Sequence, residues 1–500
     1  MSFLGALRKS PLFSGLGRRS YTPPLSVSSM NRNMLGVQYE VRGVVPQQAR
    51  RIQAELQNGS TEYPFKDIIF ANIGDMHAMG QTPITFARQV LSLCMFPDQP
   101  DGTFPPDVHE RAKNILDACS GRSIGSYTDS AGLALVRQDV CNYLEKRDGR
   151  PVDLNRLFLI AGASQGIRVL LQFFMNGSGQ HRKKPAIMVP VPQYPLYSAT
   201  LTELGAHRID YYLDESLGWK LSVDNLYRLL EENKDEYETL CLVVINPGNP
   251  TGQVLTKDNM KDVLHFCQKN NVFLLADEVY QDNVYNSDRR CYSFKTILNS
   301  MGDEFKDFQM AAFDSTSKGF LGECGFRGGF MEVVGFEDDL LAQLRKIMNT
   351  KLCPGTTGQI AVSCEVNPPK EGDPSYAVFK QEKDTIMNSL VLRAEIVRSR
   401  LNAVEGISCN PVEGAMYAFP NITIPPKAIK EAESRDLSAD TFYCLELLNE
   451  TGVCVVPGCG FNQAPGTYHF RTTILPPEDL LTDMMDRIER FHNSFTQRYS

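Results

Sequence analysis

Residues 313–330 read FDSTSKGFLGECGFRGGF. Lys318 follows the hydroxyl residues Ser315, Thr316 and Ser317, Arg327 comes nine residues later, and five glycines lie around Arg327 and after Lys318. Glycine lets the backbone take positive φ and approach a ligand closely, at an entropic cost. The preceding run FQMAAF reads as an apolar strand ending at Phe313. Lys318 therefore stands just past a strand end, where α/β proteins place ligands. A lysine crowded by cations or stripped of water gives up its proton more readily, and can then attack a carbonyl. Ser315, Ser317 and Arg327 suit an anion such as phosphate. An aldehyde that carries a phosphate satisfies both halves of the stretch, and pyridoxal phosphate is such a molecule.

Outward from this stretch, short apolar runs alternate with amphipathic ones. RLFLIAG, AIMVPVP, HRIDYYL, LCLVVI, VFLLADE, FQMAAF and GGFMEVV read as strands. QGIRVLLQFFMNG, YSATLTELG and KDNMKDVLHFCQKNN read as helices between them. This alternation predicts a mostly parallel sheet covered on both faces, an α/β fold. NTKLCPGTTGQ (349–359) interrupts it, and a long charged helix follows around residues 382–406. Shorter segments then suit a smaller α+β domain, with a boundary near residue 350.

Other strand ends carry complementary chemistry. AGASQG (161–166) opens a helix, so the N–H groups of Ala163, Ser164 and Gln165 are candidates to hold an anion. Asp277 ends an apolar strand, where a lone carboxylate is costly unless paired. A protonated pyridine nitrogen is a suitable partner. Alternation turns Glu278 to the other side. Tyr280, three residues on, would share Asp277's side in a first helical turn. Asn249 in INPGNPTG offers an amide, and Tyr194 a ring to stack on a flat cofactor. Arg471 in TYHFRTTIL suits a substrate carboxylate.

The totals narrow the classes. The chain has 500 residues, 42% hydrophobic and 22% charged, which fits a globular protein of two or more domains. A net charge of −8 argues against a dedicated nucleic-acid binder. Its 13 cysteines and seven histidines show no zinc-type spacing, so no metal site is expected, and reduced thiols are. No apolar run is long enough to predict a membrane span. Residues 1–30 are basic and serine-rich, and the first acidic residue is Glu40. That composition fits a mitochondrial transit peptide, the alternative being a disordered basic tail on a cytoplasmic protein.

SKGFLGECGFRGG, NPGNPTG, DEVY and the late HFR resemble the fold-type I aminotransferases that use pyridoxal phosphate. NIGDMHAMGQTPITFARQV, GSYTDSAG, VPVPQYPLYSA, ADEVYQDNVY, NPVEGAMYAFPNI and GTYHFRTTILP resemble its alanine aminotransferase branch. The likeness covers roughly residues 35–500. It implies an N-terminal arm and part of a small domain at 31–80, a large cofactor-binding domain at 81–350, and a small domain at 351–500. It implies that Lys318 links covalently to the cofactor and shuttles a proton, with Asp277 on the ring nitrogen. Asn249 and Tyr280 would meet the phenolic oxygen, and Tyr194 would stack on the ring. Ala163, Ser164, Gln165, Ser315, Ser317 and Arg327 would surround the phosphate. Arg471 would hold the substrate carboxylate, with Gly74 and Asn249 close by. Tyr127 would reach the neighbouring subunit's phosphate site, which implies a homodimer with shared active sites.

The implied reaction moves the amino group of L-alanine to 2-oxoglutarate. A glyoxylate-using aminotransferase, and a lyase or synthase on the same fold, remain as alternatives. So does an idle relative that only binds a partner.

Overall fold

The computed structural model describes residues 25–100, 102–175, 183–286 and 288–500. Residues 1–24, most of the expected targeting segment, lie outside that set. Seven strands form one sheet: β1 (Leu157–Leu159), β2 (Lys184–Val191), β3 (His207–Tyr212), β4 (Tyr237–Ile245), β5 (Phe273–Asp277), β6 (Met310–Asp314) and β7 (Phe330–Val334). Their order is β1-β7-β6-β5-β4-β2-β3. β6, β5, β4, β2 and β3 pair in parallel, while β7 pairs antiparallel with both β6 and β1. The sheet is mixed and mostly parallel, as the alternating pattern predicts.

The apolar runs are continuous because both faces are covered. Leu242, Val244, Leu274 and Ala276 join one core layer. Their strand neighbours Cys241, Val243, Phe273 and Leu275 join the layer on the other face. Helix Ala163–Phe173 packs into the second layer and helix Lys257–Asn270 into the first. The latter starts where Thr256 accepts the Asn259 N–H and stops at Asn271, in the left-handed region with φ +53°.

The sheet's topology positions the site. β4, β5 and β6 are parallel neighbours, so Asn249, Asp277 and Lys318 follow strand ends on one edge. The connection from β6 to β7 returns antiparallel and needs no crossover helix. Its residues are free to form the loop that carries Lys318 and Arg327. β1 runs in the direction of β6, which brings Gly162 to the same edge.

The C-terminal third holds short strands β8 (Ile407–Ser408), β9 (Tyr417–Ala418), β10 (Asn421–Ile422), β11 (Val456–Pro457) and β12 (Phe470–Thr473). β11-β12-β9 form one sheet and β10-β8 another. Val45, Ala49 and Ile52 of helix Val44–Gln57 share a core with Leu447, Phe470 and Phe491. The early chain therefore packs on the late chain.

Helix Thr356–Val366 buries Val362 and Val366 against Leu157 and Phe330 of the large sheet. One expectation shifts. The residues after Asp277 form a turn, not a first helical turn. Among the described residues, no helix is long and apolar enough to cross a membrane.

Candidate active site

A cavity of about 210 Å³ opens on the sheet edge where these loops meet. Ala163, Ser164, Tyr194, Asn249, Asp277, Tyr280, Ser315, Ser317, Lys318 and Arg327 line it. Larger cavities, of about 760, 600 and 340 Å³, lie elsewhere, and none of these gathers Lys318, Asp277 or Arg327.

One end gathers hydrogen-bond donors and a cation. Helix Ala163–Phe173 begins after Gly162, and no side chain caps it, so N–H groups of its first turn face outward. Gly162 has φ +80°, and a Cβ there would lie 2.0 Å from Arg327 Nη2. Only glycine lets the guanidinium come this close. Arg327 Nη1 donates to Ser317 Oγ at 3.3 Å and to the Cys324 carbonyl at 3.0 Å. Ser315 Oγ donates to the Gly328 carbonyl at 3.1 Å. Gln165 departs from expectation. Its backbone N–H donates to the Gly162 carbonyl at 3.1 Å, and its side-chain oxygen accepts the Ala161 N–H at 2.8 Å. Both groups brace the turn instead of facing the cavity.

Asp277 lies in the wall. Its Oδ2 accepts the Tyr197 hydroxyl at 2.7 Å, while its buried Oδ1 has no partner. Burial pushes this carboxyl up to about 6. Glu278 turns away and accepts the Phe294 N–H at 2.6 Å. Tyr197 escaped the sequence reading. It stands in the first turn of helix Leu196–Leu204, and its target is 80 residues away.

Behind Asn249 and Tyr417 lies a further cation, which does not itself line the cavity. Arg471 on β12 is 1% exposed. Its Nη1 donates to Asn249 Oδ1 at 3.1 Å and its Nη2 to the Asn72 carbonyl at 2.6 Å; Nε has no partner. No aspartate or glutamate among the described residues forms an ion pair with it. Asn249 Nδ2 donates in turn to the Tyr280 hydroxyl at 3.2 Å. Lys318 Nζ donates to the Gly74 carbonyl at 3.2 Å. Burial works to lower the Lys318 ammonium, the direction expected from its crowding. The neighbouring acids Tyr417, Cys324 and Tyr194 outweigh burial, and the group is held above the ordinary lysine value.

Tyr194 lines the cavity, and its hydroxyl meets that of Tyr39 at 2.8 Å. Tyr127 lies outside it and is 76% exposed. Sequence reasoning also missed Asn72, Tyr39 and Tyr417. Tyr39 lies outside the quoted motifs. Asn72 opens NIGDMHAMGQTPITFARQV and Tyr417 stands in NPVEGAMYAFPNI, but nothing in the spacing marks either. Among the described residues, no cluster of histidine, cysteine and acidic side chains could hold a metal.

This arrangement joins a partly buried amine, a buried carboxylate and two separate guanidinium groups. The family profile described as "Aminotransferase class I and II" matches residues 96–488. The chain is 49% identical over 479 residues to "Alanine aminotransferase 2-like" of Danio rerio, covering 95% of this chain and 87% of that one. It is 44% identical over 482 residues to "Alanine aminotransferase 2, mitochondrial" of Arabidopsis thaliana, covering 95% and 88%. Its fold is similar to the solved "Alanine aminotransferase from Pyrococcus furiosus", with TM-score 0.72, 23% identity, and 93% and 100% of the two chains covered.

Proposed function

The chain belongs to the class I and II aminotransferases, and from that premise we propose that it transfers the amino group of L-alanine to 2-oxoglutarate, yielding pyruvate and L-glutamate. The observation that carries this reading is Arg471. A guanidinium buried without a carboxylate partner, beside the Lys318 amine, is poised to receive one from a substrate.

The residues present fit pyridoxal phosphate. The orphaned Asp277 Oδ1 suits a protonated ring nitrogen. Arg327, Ser315, Ser317 and the helix start at Ala163 and Ser164 suit a phosphate. Tyr194 would stack on the ring, Asn249 and Tyr280 would face its phenolic oxygen, and Lys318 would attach to its aldehyde carbon. When bound, the cofactor supplies an electron sink at the substrate Cα.

The chain supplies the rest. Arg471 grips the α-carboxylate in a planar fork and turns the Cα–H toward Lys318. Lys318 would take that proton as a neutral amine and return it two atoms away, at the cofactor carbon to which it had been attached. Asp277 stays ionised opposite a cation, and Tyr197 holds it in place. Asn249 touches both Tyr280 and Arg471, so it ties the oxygen end to the carboxylate end.

The exposed Tyr127 fits a homodimer in which each copy completes the other's phosphate end, and the exposed Met95, Phe96 and Leu352 offer apolar surface for it. The basic N-terminus, together with the Arabidopsis relative's name, supports a mitochondrial location. A steady-state screen of amino donors against 2-oxoglutarate and glyoxylate tests the assignment. Alanine with 2-oxoglutarate should give the highest kcat/KM. A higher value with glyoxylate would move the protein to its neighbouring activity.

A further inference from the structure

His469 and Arg471 stand two apart on one extended segment, so their side chains share a face. Arg471 leads to Asn249, in the loop after β4. His469 leads to the loop after β3. It is 1% exposed, and its ring lies flat on that of Phe419, with centroids 4.6 Å apart and planes 4° apart. Trp219, from the β3 loop, closes this stack, 5.8 Å from the His469 ring and 5.9 Å from the Phe419 ring.

Polar contacts fix the ring in its plane. Gln463 Nε2 donates to Asp440 Oδ2 at 2.8 Å, which turns the Gln463 oxygen toward His469. His469 Nδ1 donates to that oxygen at 2.8 Å. His469 Nε2 lies 3.2 Å from both Glu215 oxygens and 3.2 Å from Asn421 Nδ2. Glu215 is itself held. It opens the tight loop after β3, where the Asp214 carbonyl accepts the N–H groups of Trp219 at 2.7 Å and Lys220 at 3.2 Å. Its carbonyl accepts Asn410 Nδ2 at 2.9 Å. Trp219 takes φ +65°, a conformation that a bulky residue keeps only where its surroundings require it.

None of these groups lines the cavity around Lys318. Glu215, Trp219 and His469 line a separate one of about 760 Å³. Any effect on the reaction therefore runs along the strand, from His469 to Arg471. We propose that Glu215 is a positioning residue for the substrate carboxylate: through His469 it holds β12 against the loop after β3, and so sets where the Arg471 guanidinium stands. A planar fork tolerates little displacement, and a shift of about 1 Å in a positioning group is enough to weaken its grip. The inference rests on the reading of Arg471 as the clamp.

Steady-state kinetics of the holoenzyme tests this with the amino donor that wild type turns over fastest, since every donor carries an α-carboxylate. His469 is buried, so the substitutions are made at the partly exposed Glu215. Glu215→Ala should raise KM for the donor by roughly five- to tenfold and change kcat by less than about twofold. Glu215→Gln, whose amide still offers His469 Nε2 a hydrogen bond, should recover KM to within about twofold of wild type. In an Arg471→Lys background the alanine substitution should change kcat/KM by less than about twofold, because the fork it positions is gone. Equilibrium dialysis should show unchanged retention of pyridoxal phosphate by Glu215→Ala. An unchanged KM in Glu215→Ala, an equal rise in Glu215→Gln, the full loss repeated in the Arg471→Lys background, or weaker cofactor retention would each overturn the proposal. Failure of the clamp reading would show separately, as a wild-type KM in Arg471→Lys alone, and would remove this proposal with it.

Discussion

Arg471 and Asn249 meet through one hydrogen bond, Nη1 to Oδ1 at 3.1 Å, although 222 residues separate them. The arginine comes from the small β11-β12-β9 sheet and the asparagine from the loop after β4 of the large one. A second bond, from Nη2 to the Asn72 carbonyl at 2.6 Å, fixes the plane of the guanidinium. Arg471→Lys removes that fork while keeping the charge. KM for both L-alanine and 2-oxoglutarate should rise by roughly 10- to 100-fold. Steady-state kinetics with each substrate varied in turn checks this, and unchanged values for both would exclude Arg471 as the clamp.

Lys318 is the amine on which proton transfer depends. Lys318→Ala should lower kcat by about a thousandfold or more. Borohydride reduction should trap pyridoxal phosphate on the wild-type chain at this residue and not on the variant. Peptide mapping after reduction reads this directly, and label on another lysine would reassign the site.

Asp277 gives a signed pH dependence in the cofactor-free protein. Burial raises its carboxyl to about 6, above the unfolded value of about 3.9. A group raised in the folded state contributes stability that is complete below the unfolded value and is lost as pH rises through the folded one. The stability of wild type relative to Asp277→Asn should therefore fall between about pH 4 and pH 7, by on the order of 2–3 kcal/mol. Urea unfolding of both apoproteins across that range measures it. With pyridoxal phosphate bound the sign should reverse, because a cation then faces the carboxylate.

Gly162 combines φ +80° with the close Arg327 guanidinium. Gly162→Ala forces a side chain into a strained region and displaces Arg327. The backbone strain alone should cost about 1–3 kcal/mol. Thermal unfolding should show the loss, and equilibrium dialysis should show weaker retention of pyridoxal phosphate. A variant with wild-type affinity would separate Arg327 from the phosphate.

Much of this site was legible because the strands that build it are buried on both faces. Runs such as LCLVVI and VFLLADE announce themselves by continuous apolarity, and the groups that follow their ends must then share an edge. Period-two alternation was enough to choose Asp277 over Glu278, whose carboxylate lies against the Phe294 N–H. What escaped was set by tertiary packing. Tyr197 reaches Asp277 across 80 residues, and Tyr417 acquires its surroundings only when β9 is laid beside β12. Gln165 misled because a polar side chain at a helix start can brace its own turn as readily as face a ligand. The state of Lys318 misled for a related reason. Burial was foreseeable, but the acid beside it was not.

The site suits alanine as the amino donor. The cavity's cations are Lys318 and Arg327, with Arg471 behind Asn249 and Tyr417, and each already has a role in the reading above. The methyl of alanine needs no partner, whereas the side-chain carboxylate of aspartate would be buried unpaired. The most direct measurement is kcat/KM for L-alanine and for L-aspartate, each with saturating 2-oxoglutarate and each followed by glutamate formation. Alanine should exceed aspartate by roughly a hundredfold or more. Equal or higher kcat/KM for aspartate would contradict the alanine assignment.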